Sequence, residues 1–328
     1  MRVFFGFDTA VAYWRGFVGS DDVLPNPVRA PLVAPGLPQV RRVEEALCEL
    51  GLGSSGRAHV LTSEIVRRQE GSAFRSHAWG REYPAGSFVK TGRDVLVESP
   101  ELSFVRIAGA YPIARTIEYG CELCGGYALS QTDAGFRDRP AVTTPDRLRR
   151  YVQRADGMPG VKTARRACKY VVGGSASPME TIVYLLLCLP CALGGYGLPA
   201  PVMNARVVLE KGVARYNSTR RVVGRRYRVC DLYWPSAHVA IEYDGFRYHA
   251  TKERLRADAV RRNELEERGE MVLTVTGGQV EGWRAMEVVA GQVARRVGHR
   301  LRDRALGTPP QRVELRKMLL SYAIEGRG

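Results

Sequence analysis

The sequence predicts a mixed α/β protein, α+β in arrangement, made of two domains. Short apolar runs rich in Val, Ile, Phe and Tyr alternate with stretches of helical period along the chain. Ser-Pro and Thr-Pro pairs at Ser99-Pro100, Thr144-Pro145 and Ser177-Pro178 mark helix starts, because Pro suits the first helical position and the hydroxyl caps it. The second half then reads helix, strand, strand, strand, helix, strand, helix.

Taken in order, residues 1 to about 56 read as a short strand, a helix from Thr9 to Phe17, a Pro-rich loop and a helix from Val40 to Leu50. The loop from Leu24 to Pro38 carries five prolines and is expected to run extended on the surface. His59 to Leu61, Ala73 to Trp79, Ser87 to Lys90 and Asp94 to Val97 are expected as short strands. Helices follow over Leu102 to Gly109 and Ile113 to Glu122, separated at Pro112. Ser76, His77 and Glu82 have no spacing that identifies a nucleophilic site and read as surface polar residues.

Further helices are expected over Arg147 to Arg154 and Val161 to Val172, the latter with a basic stripe of Lys162, Arg165, Arg166 and Lys169. The domain boundary is placed between about 135 and 158. The resulting division is 1–145, a mixed α/β N-terminal domain; 158–305, the second domain; and 308–328, a C-terminal helix. Ser177 to Glu180 matches a capping box, with Ser as cap and Glu reaching back. A strand from Arg206 to Glu210 precedes a basic run, Arg220, Arg221, Arg225, Arg226 and Arg228.

Two apolar runs then flank a Pro-Ser-Ala turn. A hairpin centred between Ser236 and Ala237 sets Asp231 opposite Glu242, and alternation puts Asp244 on the face of Glu242. Like charges directly opposed across strands repel, and the usual compensation is a divalent cation or a shared proton. Beyond His249 come a helix from Lys252 to Arg268, a strand from Met271 to Val275, a turn at Gly277 to Gln279, a helix from Val280 to Ala305, and a last helix from Arg312 to Ile324.

Composition narrows the partner. Lys and Arg number 49 against 34 Asp and Glu, a net charge of +15 with a pI near 9.8. Such a charge favours a polyanion, nucleic acid first. Most of the basic residues are Arg, whose planar fork suits phosphate oxygens. No apolar window reaches the ~18 residues of a membrane span. No signal peptide is read, and seven cysteines fit reduced thiols, so a cytoplasmic protein is expected. Cys121-x-x-Cys124 and Cys188-x-x-Cys191 have the form of zinc half-sites, but about 60 residues part them, far more than in compact zinc folds.

The ordered set SPMET at 177–181, RVCDLYWP at 228–235, AIEYDGFRYH at 240–249, DAVRRNEL at 258–265 and GEMVLTVT at 269–276 resembles the PD-(D/E)XK nuclease superfamily. It is most similar to the domain related to very-short-patch-repair endonucleases of bacteria, over about 175 to 300. The N-terminal region resembles what accompanies such domains in some bacterial proteins, including abortive-infection antitoxin-like regulators.

The resemblance implies a restriction-endonuclease-like core of αβββαβ order and Mg²⁺- or Mn²⁺-dependent hydrolysis of DNA, in repair or phage defence. It implies Asp231 and Glu242 as metal ligands and Glu180 as a further acid of the site. Where the family motif ends in Lys this chain has Asp244, so His249, Gln279, Arg261 or Arg262 stands in, or Asp244 is a third ligand. Arg221, Arg225, Arg226, Arg228, Arg261 and Arg262 are the expected nucleic-acid contacts. Double-stranded DNA is the expected substrate, with no membrane partner and a homodimer admitted. The alternative is an inactive nuclease fold serving as a DNA-binding regulator.

Overall fold

The structure is a computed structural model and describes residues 2–19, 25–53, 57–64, 74–130, 135–214, 222–245, 263–301 and 310–325; of residues 209–214, 222–226 and 322–325 it describes the backbone. The chain divides into two compact units, Met1–Gly173 and Gly174–Gly328.

The first unit is built on a five-stranded sheet of β1 (Val3–Phe5), β2 (Ala58–Thr62), β3 (Phe74–Ala78), β4 (Phe88–Lys90) and β5 (Val95–Glu98), in the order β3-β2-β1-β5-β4. β1 runs parallel to β5 and antiparallel to β2, β2 runs parallel to β3, and β4 is antiparallel to β5. β1 and β5 are buried throughout, as the apolar runs Val3 to Phe5 and Val95 to Val97 require. Around them lie α1 (Phe7–Gly16), α2 (Val40–Glu49), α3 (Pro100–Ala110), α4 (Ile113–Leu123), the ribbon β6 (Tyr127–Leu129) with β7 (Phe136–Asp138), α5 (Pro145–Arg154) and α6 (Val161–Ala167).

Ser99 and Thr144 cap α3 and α5 as their sequences predict, accepting from Leu102 N at 3.2 Å and Arg147 N at 3.2 Å. The Pro-rich segment is bridged at Pro27 to Val89 and at Leu32 to Tyr83, so it is tied to β4 and the loop before it.

The boundary between the units falls later in the chain than the 135–158 region the sequence suggested. The reason is packing: α5 and α6 lie against α3, and α6 also against α4. The approach of the chain before α6 to α3 is close enough to demand glycine at 160. Gly160 has φ +89°, and a Cβ there would sit 2.3 Å from Val105 O and 2.5 Å from Gly109 N. Gly160→Ala is expected to destabilise the first unit by more than about 2 kcal/mol, since neither backbone can retreat. The urea unfolding midpoint tests this, and an unchanged midpoint would refute the contact.

The expected helix from Val161 to Val172 stops at Ala167, and Arg165 of its basic stripe is spent inside the unit, on Val152 O at 3.0 Å and Asp156 Oδ1 at 2.5 Å.

The second unit begins with α7 (Pro178–Cys188), whose apolar sequence is buried almost all round. Its four-stranded sheet has the order β11-β10-β9-β8, with β8 (Val202–Ala214), β9 (Val222–Trp234), β10 (Val239–Asp244) and β11 (Met271–Thr276). β8, β9 and β10 form an antiparallel meander, and β11 lies parallel to β10. A parallel neighbour requires a crossover, and residues 263–266 of that crossover are helical.

The β9–β10 turn is a single 3₁₀ turn, Pro235–Ala237, followed by His238 at φ 52°. Buried Glu270 ties the turn down, with Oε1 taking Tyr233 Oη at 3.0 Å and lying 3.0 Å from His238 Nδ1.

The segment Gly277 to Gln279 is not a plain turn. It opens the short helix α8 (Gly277–Glu281), because Thr276 caps Gln279 N and the Gln279 side chain returns to Thr276 N. Gly282 then separates α8 from α9 (Trp283–Arg296), which ends well before the expected Ala305, and α10 (Pro310–Glu325) packs on α7.

Candidate functional site

Three elements of the second unit gather acids. The paired register of β9 and β10, Val239 to Trp234 through Ile241 to Leu232, is the one the hairpin geometry predicts, and it ends one step before Asp231 and Glu242, which are electrostatic neighbours. The Asp231 carboxylate turns toward β10 and accepts from Tyr243 N at 2.7 Å. Its pKa is raised from 3.8 to about 7 by burial, then by the charge of Glu180, and further by Glu242, against the Tyr243 hydrogen bond that lowers it. Glu180 of α7 is therefore an electrostatic neighbour of Asp231. Burial pushes the adjacent Cys230 thiol up to about 12, with Glu242, Asp231 and Glu270 adding to it.

Glu180 has a second task. Its Oε2 accepts from Ala176 N at 2.8 Å and from Asn204 Nδ2 at 2.6 Å, and Ser177 Oγ donates to its Oε1 at 2.9 Å. Ser177 Oγ in turn accepts from Glu180 N at 3.2 Å. The capping role read from the sequence is present, and three donors fix where the carboxylate points. Asn204 was not singled out in the sequence. It sits at φ 46° and also donates to Gly174 O at 2.9 Å. Its residue type is the only signal it carried, since Asn tolerates positive φ better than most.

The other expected site residues fall elsewhere. Asp244 is exposed at the end of β10, opposite Thr276 in register, and the acids that raise Asp231 are Glu180 and Glu242. Gln279, an expected stand-in for the family lysine, spends its side chain on the α8 cap. Arg228 is paired with Glu264, its Nε 2.8 Å from Oε2, so it serves the crossover helix rather than an open basic rim. The backbones of Arg225 and Arg226 lie in β9 opposite Lys211 and Glu210. His249, Arg221, Arg261 and Arg262 lie outside the described residues.

Among the described residues no group of three or more His, Cys, Asp or Glu side chains is arranged to hold a metal ion. The Asp231–Glu242 pair nevertheless suits a hard cation. Burial is the first cause of the raised Asp231 pKa, and only the part that comes from the negative charges of Glu180 and Glu242 would also favour a divalent ion. Mg²⁺ is commonly held by one or two carboxylates together with substrate phosphate and water.

The paired-cysteine reading fares differently. Cys121 and Cys124 belong to the first unit, Cys188 and Cys191 to the second. Burial holds the Cys121, Cys124 and Cys188 thiols well above their usual range, which favours the thiol over the metal-binding thiolate. No helix among the described residues is long and apolar enough to cross a membrane. No protein-family model, no curated protein and no solved structure matches this chain.

Proposed function

We propose that the second unit is a metal-dependent endonuclease acting on DNA, with Asp231 and Glu242 as the ligands of Mg²⁺ or Mn²⁺. The observation that carries this is the placement of Asp231, fixed by the Tyr243 N–H at 2.7 Å with the charges of Glu180 and Glu242 near enough to raise its pKa, in a chain of net charge +15. The order helix, three antiparallel strands, helix, parallel strand supports a restriction-endonuclease-like core.

In such a site a bound divalent ion neutralises phosphate charge and lowers the pKa of water. The chain's own residues do the holding. Tyr243 N–H fixes one oxygen of Asp231, and Ala176, Ser177 and Asn204 aim Glu180. Arg226 lies five residues before Asp231 on β9, about 17 Å at a strand's rise of ~3.4 Å per residue. A β9 arginine would thus meet phosphates some nucleotides away from the bond that breaks, and contribute binding rather than chemistry. Double-stranded DNA as substrate and a homodimeric assembly belong to the same proposal.

Asp231→Ala is expected to reduce Mg²⁺-dependent cleavage of plasmid and linear duplex by more than about 100-fold, since even outer-shell partners of a metal commonly cost 10- to 100-fold. Binding measured without metal is expected to survive, and to weaken steeply with salt.

One second reading has its own support. The three donors on Glu180 and the exposed Asp244 in place of lysine suit a nuclease fold that binds DNA without cutting it, as a regulator would. Absence of cleavage by the wild type across duplex and single-stranded DNA and RNA, with Mg²⁺ or Mn²⁺, combined with salt-dependent binding, would select that reading.

A further inference from the structure

The first unit contains a cavity of about 450 Å³ that plays no part in the proposed cleavage. Its wall includes Phe7, Arg75, His77, Trp79, Tyr83 and Arg106. This volume falls within the usual span of small-molecule sites, and aromatic walls with a few placed polar groups are their usual make-up.

The wall is rigidly built. Phe7 has φ 52°, a conformation uncommon for a bulky residue. It is held there because its N–H donates to Glu98 Oε2 at 3.0 Å. Gly6 makes the approach possible, since a Cβ on it would lie 2.7 Å from the Glu98 carboxyl. Arg106 donates to Glu98 Oε1 at 2.9 Å and to Tyr83 Oη at 3.1 Å while lying 4.7 Å over the Phe7 ring. His77 stacks on Phe7, with centroids 3.8 Å apart and planes at 20°.

The far side of His77 is anchored too. Its Nε2 lies 3.2 Å from His59 Nδ1, and His59 Nε2 lies 3.7 Å from Asp8 Oδ2. One of the two facing ring nitrogens, His77 Nε2 or His59 Nδ1, carries the proton of this hydrogen bond. These contacts order an imidazole at the cavity wall, the pattern of a preorganised contact group.

Charge and shape indicate the occupant. Glu98 already neutralises Arg106, whereas Arg75 is exposed and no ion pair is seen for it among the described residues. Trp79 also lines the cavity and is only partly buried. Among the aromatic lining, Phe7 is covered by His77 and Arg106 and Tyr83 is buried, so the partly exposed rings of Trp79 and His77 are the surfaces that suit a planar ring, and the exposed Arg75 guanidinium suits an anion beside it. We infer that this cavity binds a nucleotide, its base against the aromatic wall and its phosphate toward Arg75.

A free mononucleotide and a nucleotide of a single strand share this chemistry, and the test separates them. The full-length protein is titrated calorimetrically with adenosine 5′-monophosphate, uridine 5′-monophosphate, a short oligothymidylate, adenosine, inorganic phosphate and benzoate. Saturable binding of the monophosphates with a Kd below about 1 mM is expected, with adenosine, phosphate and benzoate at least about tenfold weaker. Binding confined to the oligothymidylate would assign the site to a strand. Arg75→Ala, at an exposed position, and Trp79→Ala, which removes a ring from the wall, are each expected to weaken the nucleotide at least about tenfold, with folding checked by circular dichroism. Asp231→Ala is expected to leave this binding unchanged, which keeps it separate from the proposed cleavage site. The inference is overturned if no nucleotide binds, if benzoate binds as tightly, or if binding persists in both first-unit variants.

Discussion

Glu98→Ala is expected to destabilise the first unit by about 3–5 kcal/mol, the cost of removing one partner from a buried ion pair. Glu98 is fully buried, and its two carboxylate oxygens hold the Arg106 guanidinium and the Phe7 N–H. Without the carboxylate, Arg106 keeps its charge in a place with little water, and Phe7 loses the contact that holds its positive φ. For a domain of this size 1 kcal/mol moves the transition about 2–4 °C, so a fall of at least about 6 °C is expected in scanning calorimetry.

The double variant Glu98→Ala/Arg106→Met is expected to recover part of the loss, because no uncompensated charge remains. A double variant no more stable than the single one would show that packing, rather than charge, sets the cost.

Asp231→Asn is expected to stabilise the protein at neutral and alkaline pH. An acid whose pKa is raised on folding holds its proton more tightly in the folded state, so ionising it there costs stability. The cost is absent below the unfolded value of 3.8, grows as pH rises, and is complete above about 7. Asn keeps an oxygen for the Tyr243 N–H and removes the charge. The expected gain above pH 7 is about 1–3 kcal/mol, reduced from the full linkage value because the group is only partly buried. At pH 3, below the unfolded value, wild type and variant are expected to unfold together.

Millimolar Mg²⁺ is expected to raise the wild-type midpoint at pH 8 and to leave the variant unmoved, because an ion that binds only the folded state stabilises by mass action. Equal midpoints of the two proteins at pH 8 without metal would refute the strained carboxylate. Equal stabilisation of both by Mg²⁺ would remove Asp231 from the metal site.

Much of this was legible in the residues. Ser99, Thr144 and Ser177 each precede Pro and each cap a helix where the sequence says so, because capping is a contact within four residues. The register of β9 on β10 was legible for the same reason: a tight turn sets the register of the strands it joins. The extent of β8 was not. The sequence marks Arg206 to Glu210, but the strand spans Val202–Ala214, since a partner strand supplies hydrogen bonds to residues with little strand propensity of their own. The Gly-Gly-Gln segment looked like a turn because two glycines seldom open a helix, and the capping box of Thr276 and Gln279 outweighs them.

The sequence by itself determined the local pieces: the helix starts, the hairpin register, the basic charge and the alternation of element types. Each depends on residues a few positions apart. Tertiary structure decided what those pieces face. It assigned α5 and α6 to the first unit through packing on α3. It brought Glu180 of α7 to Asp231, 51 positions away in the chain, and left Asp244 at a strand end. It also brought Asp8, His59 and His77, three polar residues with no motif between them, into one line of contacts that ends at the cavity wall in His77. Such encounters follow from which strands pair and which helices cover them, and non-local pairing of that kind leaves no periodicity in the sequence to read.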